Sequence, residues 1–135
     1  MLHRYVNGIE GTLIKTCAQY GVQAGRTKDT GVWVGEDKKI AALGIQLSFG
    51  ISRHGFALNC TTDLAWFDNI VPCGLPDKTM TSLANETRAF SADDLEPVKV
   101  LDVVVQKFGE EFDVEMVPLD RPFHNHLIHK LSLML

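Results

Sequence analysis

The chain has 135 residues, of which 45% are hydrophobic and 22% charged, and its formal net charge at pH 7 is -4. This length fits one domain with one core, and the composition is that of an ordinary globular protein. The scattered Lys and Arg residues give no basic surface for a phosphate backbone, and no apolar run reaches the roughly 20 residues that span a bilayer. We therefore expect neither nucleic acid nor a membrane as a partner.

A first helix is predicted from residue 4 to about residue 20. Its apolar residues recur at intervals of three and four, the spacing of one helix face: Val6, Ile9, Leu13, Cys17 and Tyr20. Gly21 stands where a helix commonly ends. Gly8 and Gly11 lie inside the helix, and each costs on the order of 1 kcal/mol relative to Ala. Tertiary packing is therefore needed to hold this helix.

Three short strands are predicted next, in the segments "GVWV" (31–34), "KIAALGIQLS" (39–48) and "HGFALNC" (54–60). The apolar residues of the middle strand do not alternate strictly, so we expect both of its faces to be apolar and covered by helices. Gly44 within this strand predicts either a bulge or a close approach by a ligand.

A second long helix is predicted in the C-terminal part. Ser91 and Asp94 form a capping signature, and apolar residues follow at helical spacing: Leu95, Val98, Leu101, Val105 and Phe108. Pro97 lies too far from the cap for the ideal first position, so we expect a kink there or a start nearer Glu96. "FDVEMV" (112–117) alternates as a final strand would, and the residues after about 118 show no clear period.

Cys73 is the first candidate for chemistry. Pro72 fixes the backbone before it and Gly74 frees the backbone after it, so its side chain is presented on a turn. The three cysteines, spaced by 43 and 13 residues, form neither a disulfide framework nor a paired-cysteine metal motif, which predicts free thiols. Cys73 is either a nucleophile or a small apolar residue at a bend, and a nucleophilic thiol needs a nearby cation or base.

Candidate partners for such a thiol stand in the predicted strands. Lys39 opens the apolar middle strand, where it can exchange a proton with a thiol or simply extend its ammonium to water. Lys38 beside it points to the opposite face. His54, next to Arg53, fits either the Cys and His pair of thiol proteases or a histidine hydrogen-bonded at a strand end.

Metal and nucleotide chemistry find little support in the sequence. His124, His126 and His129 have spacings of two and three, but no carboxylate or Cys accompanies them in a tight motif, and we interpret them as part of a tail. Neither a GxGxxG motif nor a Walker loop occurs. We therefore expect no cofactor.

The segment 30–75, "TGVWVGEDKKIAALGIQLSFGISRHGFALNCTTDLAWFDNIVPCGL", followed by "TSL" at 81–83, resembles the lipoyl(octanoyl) transferases in the order and spacing of its blocks. The resemblance covers about residues 4 to 112 and is closest to the mitochondrial members of animals. It implies an α/β (α+β) fold, a mixed sheet flanked by helices, shared with lipoate and biotin protein ligases. It also implies a mitochondrial location and a partial catalytic domain over 1–118, followed by a divergent tail over 119–135.

Two motifs carry the resemblance to the active site. The family's PCG motif and its KI(x)(x)(L/I)G motif fall on Cys73 and Lys39. The resemblance implies that Cys73 is the nucleophile that forms an acyl thioester, and that Lys39 helps to deprotonate it. It further implies that two segments line the acyl site with backbone groups: Ala42, Leu43, Gly44, Gly55, Phe56 and Ala57.

The implied reaction, the first step of protein lipoylation, moves an octanoyl group from an acyl carrier protein to a lysine of a lipoyl domain. The acceptors are subunits of 2-oxoacid dehydrogenases and the glycine cleavage H protein, and no ATP is needed. The family's RGG(x)(x)T(x)HGPGQ block is not found in these 135 residues, so we expect a partial domain with an unpaired sheet edge and an exposed apolar face. Two alternatives stay open: a noncatalytic remnant that binds lipoyl domains or carrier protein, and an ATP-dependent lipoate or biotin ligase.

Overall fold

A computed structural model describes residues 2–69 and 78–118. The described helices are α1 (Leu2–Gln19), α2 (Leu83–Glu86) and α3 (Pro97–Phe112), with two 3-10 helices, Leu64–Asn69 and Asp93–Leu95. The strands are β1 (Ala24–Gly25), β2 (Val32–Val34), β3 (Lys38–Ser48), β4 (Ile51–Leu58) and β5 (Thr79–Met80). They form one sheet in the order β1-β2-β3-β4, antiparallel throughout, and β5 pairs in parallel with the first residues of β3. The expected mixed sheet with helices is confirmed.

Helix α1 forms where the apolar spacing predicts it and starts two residues earlier. Leu13 and Cys17 are fully buried in the core. Gly21 has a φ of 73°, and the N–H of Val22 donates to the carbonyl of Cys17 at 3.0 Å. The helix therefore ends in the left-handed turn that glycine adopts at low cost, as predicted.

The two glycines inside α1 allow α3 to pack closely against it. A Cβ at Gly8 would lie 2.5 Å from Cζ of Phe112, and one at Gly11 would lie 2.5 Å from a carboxylate oxygen of Glu111. Lys15 of α1 pairs with the same Glu111 at 2.8 Å. The close contact with α3 supplies the tertiary packing that the glycines make necessary.

Strands β3 and β4 form a regular hairpin around the turn Phe49-Gly50, whose φ values are 50° and 80°. Positive φ at both central residues is the type I′ geometry that fits the twist of a two-residue hairpin. Gly44 pairs with Gly55 in this regular register, so the bulge that we considered at Gly44 is wrong. The irregularity lies earlier in β3, where Ile40 is the extra residue between the pairs made by its neighbours.

The start of β3 is buried and the rest of the strand is not. Lys39, Ile40 and Ala41 are enclosed, whereas every residue from 42 onward is partly or fully exposed. The prediction that helices cover both faces of this strand is therefore wrong beyond its first residues. The buried core joins α1, α2 and α3 with β2 and the start of β3, so the helices cover one end of the sheet. In the described part of the chain, β4 forms an edge of that sheet.

The C-terminal predictions are partly wrong. The hydroxyl of Ser91 donates to Asp94 at 2.6 Å, but the pair lies at the 3-10 helix Asp93–Leu95, whose N-cap is Ala92, and not at the long helix. Helix α3 starts at Pro97 directly after Glu96, which confirms the start near Glu96. Residues 114–118 form no strand, because left-handed Asp113 ends α3 and the next N–H, that of Val114, donates back to the Gly109 carbonyl.

Candidate functional site: a buried lysine and a small-residue groove

Lys39 is enclosed near the start of β3, at one end of the sheet, between β2 and β5. Its neighbours in register are Trp33 on β2 and Met80 on β5, and only 3% of its surface is exposed. Its Nζ lies 4.8 Å from the centre of the Trp33 ring, within the range of a cation–π contact. Lys38 is exposed and pairs with Glu86 at 3.4 Å. The expectation that the two lysines point to opposite faces is confirmed, and Lys39 is the enclosed one.

Trp33 organises this end of the sheet. Its indole N–H donates to the carbonyl of Asp29 at 2.9 Å, and the side chain is almost fully buried. A second ammonium, that of Lys78, lies 5.6 Å from the ring centre and donates to the carbonyl of Glu36 at 2.7 Å. Two cations near one ring concentrate positive charge, which is the environment that favours a thiolate over a thiol.

The bulge in β3 sets the face of the sheet that Lys39 occupies. Val32 and Trp33 are consecutive in β2, so their side chains lie on opposite faces. Ala41 pairs with Val32. Lys39 pairs with Trp33, so Lys39 and Ala41 lie on opposite faces, although residues two apart share a face in a regular strand. Lys39 therefore shares its face with Ala42, the next residue in β3.

An open groove of about 400 Å³ is lined by the six residues that the resemblance assigns to the acyl site: Ala42, Leu43, Gly44, Gly55, Phe56 and Ala57. Cross-strand pairing sets Ala42 opposite Ala57 and Gly44 opposite Gly55, on the face that carries Lys39. A Cβ at either glycine would find no heavy atom within 4 Å. Methyl groups and bare backbone therefore leave this surface open. The structure brings the six residues together, and their binding role stays a prediction.

The other candidate partners of a thiol lie far from Lys39. His54 stands on β4 opposite Ile45, six residues beyond Lys39 along β3, which is roughly 20 Å at the rise of a strand. Arg53 is exposed and one position farther along, opposite Gln46. Lys39 and the backbone of His54 therefore lie in different parts of the sheet.

Cys17 and Cys60 are free, buried thiols, as the sequence predicts. Burial raises the pKa of Cys17 to about 12, and the nearby thiol of Cys60 adds to the rise. Burial also raises the pKa of Cys60. Both stay protonated near neutral pH, which makes them poor nucleophiles.

Several predicted site residues lie outside the described residues. They are Cys73 with its neighbours Pro72 and Gly74, and the histidines His124, His126 and His129. Within residues 2–69 and 78–118, no group of three or more His, Cys, Asp or Glu side chains is placed to hold a metal ion. No helix in the same ranges is long and apolar enough to cross a membrane.

Glu10 is a site residue that sequence reasoning missed. It lies on α1 and is 5% exposed. Its two carboxylate oxygens accept hydrogen bonds from Arg26 and from the N–H of Gly31. One signal was available, because Glu10 precedes the buried Leu13 by three residues and Cys17 by seven and so shares their face. A charged residue on an apolar face needs a partner, and the spacing cannot tell which one.

The family model described as "Lipoyl protein ligase A/B catalytic domain" matches residues 1–109. The chain belongs to this family. A Danio rerio member, named octanoyl-[acyl-carrier-protein]:protein N-octanoyltransferase, mitochondrial, is 46% identical over 109 residues, which are 81% of this chain and 46% of that protein. An Acidobacterium capsulatum octanoyltransferase is 45% identical over 124 residues, covering 87% and 50%. The chain thus spans about half the length of these relatives.

The ligase A/B fold is also found by comparison with solved structures. A T. acidophilum protein with bound lipoic acid, described as a candidate lipoate protein ligase, superposes with a TM-score of 0.61 at 12% identity. The match covers 90% of this chain and 51% of that one. At this identity the likeness shows the fold alone, and it confirms the expected ligase-like architecture.

Proposed function

We propose that this chain carries the catalytic lysine and the acyl groove of an octanoyltransferase, in which Cys73 is the nucleophile. The donor is an octanoyl-acyl carrier protein, and the acceptor is a lysine of the lipoyl domains of 2-oxoacid dehydrogenases or of the glycine cleavage H protein. The names of relatives at 45% and 46% identity support this reaction. The chain spans about half the length of those relatives, and the proposed reaction is that of the site it carries.

One observation carries the proposal: an enclosed lysine shares a sheet face with an open surface of small residues. Lys39 starts the buried part of β3, and the groove begins three residues later at Ala42. A straight acyl chain needs apolar surface without protruding side chains, and the facing pairs of alanines and glycines provide it. The reacting end of such a chain would then point towards the lysine.

Chain connectivity also supports a role for Cys73 beside Lys39. Lys78 resumes the described chain near the Trp33 ring, where the Lys39 ammonium also lies. Cys73 precedes Lys78 by five residues, which span at most about 18 Å even when extended. The length of chain therefore permits the thiol to reach the lysine.

The proposed first step is the transfer of the acyl group to the enzyme. The amine of Lys39 takes the proton of the Cys73 thiol, and the thiolate attacks the carbonyl carbon of the donor thioester. The bond from that carbon to the carrier's sulfur breaks, and the leaving thiolate takes the proton from Lys39. The products are an octanoyl thioester on Cys73 and the free carrier thiol.

The proposed second step forms the amide. The amine of the acceptor lysine attacks the thioester, the carbon–sulfur bond to Cys73 breaks, and the proton lost by the amine returns to the dyad. Exchange between thioesters is nearly isoenergetic and amide formation is downhill. No ATP or other cofactor is therefore needed.

We also propose a mitochondrial location, supported by the name of the Danio rerio relative. Microscopy of the tagged protein, expressed from its full-length transcript in animal cells, tests this location. A cytosolic signal without overlap with a mitochondrial marker would contradict it.

The function is tested by intact mass spectrometry after octanoyl-acyl carrier protein is mixed with this polypeptide and, in parallel, with a longer chain that includes the N-terminal half of its relatives. Both are prepared as wild type, Cys73→Ala, Lys39→Met and Lys38→Met. We expect an octanoyl adduct on the wild type, none on Cys73→Ala, and at least a 100-fold slower adduct on Lys39→Met, the usual scale of a lost general base. The exposed neighbour makes Lys38→Met a matched control with normal rates.

Each alternative leaves a different result in the same experiment. If carrier protein or lipoyl domain binds but no adduct forms on either chain, the protein is a noncatalytic binding protein and not a transferase. An adenylate formed from free octanoate and ATP would identify a ligase instead. An adduct that survives Cys73→Ala would show that another group is the nucleophile.

A further inference from the structure

Glu10 is a buried carboxylate that lies on another element than Lys39 and is not required by the reaction chemistry. It belongs to α1, and its oxygen Oε1 accepts the N–H of Gly31 at 3.0 Å. Its oxygen Oε2 accepts from Nε of Arg26 at 3.0 Å. Arg26 is fixed in turn, since its guanidinium donates to the carbonyl of Asn7 at 2.6 Å. The carboxylate therefore ties both ends of the segment 26–31 to the first helix.

The segment 26–31 forms the wall against which Lys39 rests. A Cβ at Gly31 would lie 2.8 Å from Cε of Lys39 and 3.3 Å from its Nζ. The lysine stem thus passes directly over the bare backbone of Gly31. The φ of Gly31 is 130°, which L side chains rarely adopt, and the missing Cβ would also meet the Ala41 carbonyl at 2.8 Å. Only glycine provides this wall.

The same segment also fixes the ring beneath the ammonium. The carbonyl of Asp29 accepts the indole N–H of Trp33, and the Lys39 ammonium lies over that ring. Two surfaces that confine the lysine, the Gly31 backbone and the Trp33 ring, therefore depend on one short segment. Glu10 anchors that segment from outside the sheet.

We propose that Glu10 is a positioning residue for Lys39: its carboxylate holds Gly31 and, through the segment 26–31, keeps the lysine amine in place. This role rests on the proposed function, in which Lys39 exchanges a proton with a thiol, whereas the hold of Glu10 on the segment 26–31 is independent of turnover. Loss of the carboxylate frees the Gly31 wall, and the lysine then samples orientations that reach solvent.

The test measures how fast an amine-acylating reagent modifies Lys39 relative to Lys38 in the intact protein, by peptide mass spectrometry. Lys38 is an exposed internal reference on the adjacent residue. We expect at least a tenfold rise of the Lys39 to Lys38 ratio in Glu10→Ala. In Glu10→Gln we expect a smaller rise, because the amide turns its oxygen towards one of the two donors and its NH2 group, which cannot accept, towards the other.

Two controls separate positioning from general destabilisation. Glu111→Gln removes another ion pair of α1, that of Lys15 at 2.8 Å, and must leave the ratio unchanged. Alkylation of the fully buried Cys17 must stay as slow as in the wild type. A ratio that rises together with Cys17 alkylation would overturn the proposal, since the whole core has then opened. Should Glu10→Ala not fold, the isosteric Glu10→Gln decides, and an unchanged ratio there overturns the proposal.

The labelling result and the acyl-transfer result fail independently. A rise of the ratio in a protein that forms no octanoyl adduct would keep the structural link between Glu10 and Lys39 and reject its catalytic purpose. In an active protein, Glu10→Ala is expected to slow adduct formation at saturating donor while its KM for the donor changes by less than twofold. An unchanged rate in a variant with a raised ratio would overturn the positioning role.

Discussion

The three cysteines should differ sharply in their reaction with iodoacetamide. A thiol with a pKa of about 12, that of Cys17, is deprotonated in roughly one molecule in 10⁴ at pH 8. An ordinary thiol with a pKa of 9.0 is deprotonated in roughly one molecule in ten at the same pH. Because only the thiolate reacts, Cys17 should be alkylated about 10³-fold more slowly than an ordinary thiol, before steric protection is counted.

Cys60 has a raised pKa for the same reason, so its reaction is also slowed. The native protein at pH 8 should therefore take up one equivalent of reagent quickly, and peptide mass spectrometry should find it on Cys73. In Cys73→Ala this fast phase should be absent. In a guanidinium solution that unfolds the chain, the desolvation is removed, and all three thiols should react at similar rates.

The reasoning is refuted if Cys17 is alkylated in the native protein at a rate within tenfold of Cys73. That result would mean either that the first helix does not exclude solvent from its buried face or that Cys73 is itself protected. Hydrogen exchange of the α1 amides separates these two causes, because only the first would expose them.

Two further substitutions test the groove and the helix contact. Gly44→Ala should raise the free energy of unfolding by about 0.5 to 1 kcal/mol, because the new methyl meets open space and Ala is more stable than Gly inside a strand. The same methyl should slow octanoyl adduct formation. An unchanged rate would exclude a role for this surface in acyl binding. Gly8→Ala should lower the free energy of unfolding by about 1 to 3 kcal/mol in urea titrations, because its Cβ would lie 2.5 Å from the Phe112 ring. Phe112→Leu in the same chain should recover part of that loss, and a purely additive double variant would show that the two residues are not in contact.

Local patterns predict the elements that local interactions form. The apolar spacing gave α1 within two residues of its start, and Gly21 marked its end. The β3–β4 hairpin follows from two apolar runs around a turn that contains glycine. In each case the residues that decide the structure lie within a few positions of one another, which is why a single sequence suffices.

The errors arose where distant partners decide the structure. "FDVEMV" alternates as a strand does, but no strand of the described sheet pairs with it, and the left-handed Asp113 ends the helix just before it. Ser91 and Asp94 form the predicted hydrogen bond, yet the long helix starts separately at Pro97 with Glu96 as its N-cap. A sequence pattern can indicate a possible strand or helix, but it cannot show whether another strand or helix is present to pair or pack with it.

The site could be predicted only as far as its motifs reach. Resemblance named the six groove residues and Lys39, and the structure brings the six into one groove. The contacts of Lys39 with Trp33 and Gly31, and the hold of Glu10 on Gly31, join residues that are six to 21 positions apart. No local pattern encodes which of these side chains meet, because the bulge and the packing of α1 decide it.

The extra residue in β3 decides which side chains of the strand share a face, and so it bears on function. Lys39 and the groove lie on the same side of the sheet because Ile40, an extra unpaired residue between them, interrupts the regular alternation of side chains. A one-codon deletion at Ile40 would leave Lys39 two positions before Ala42 in a regular strand, and the lysine would stay on the side of the groove. A regular strand that retained Ile40 would instead turn the lysine to the opposite side. The lysine and the groove therefore share a side of the sheet either when the bulge is present or when one residue fewer separates them.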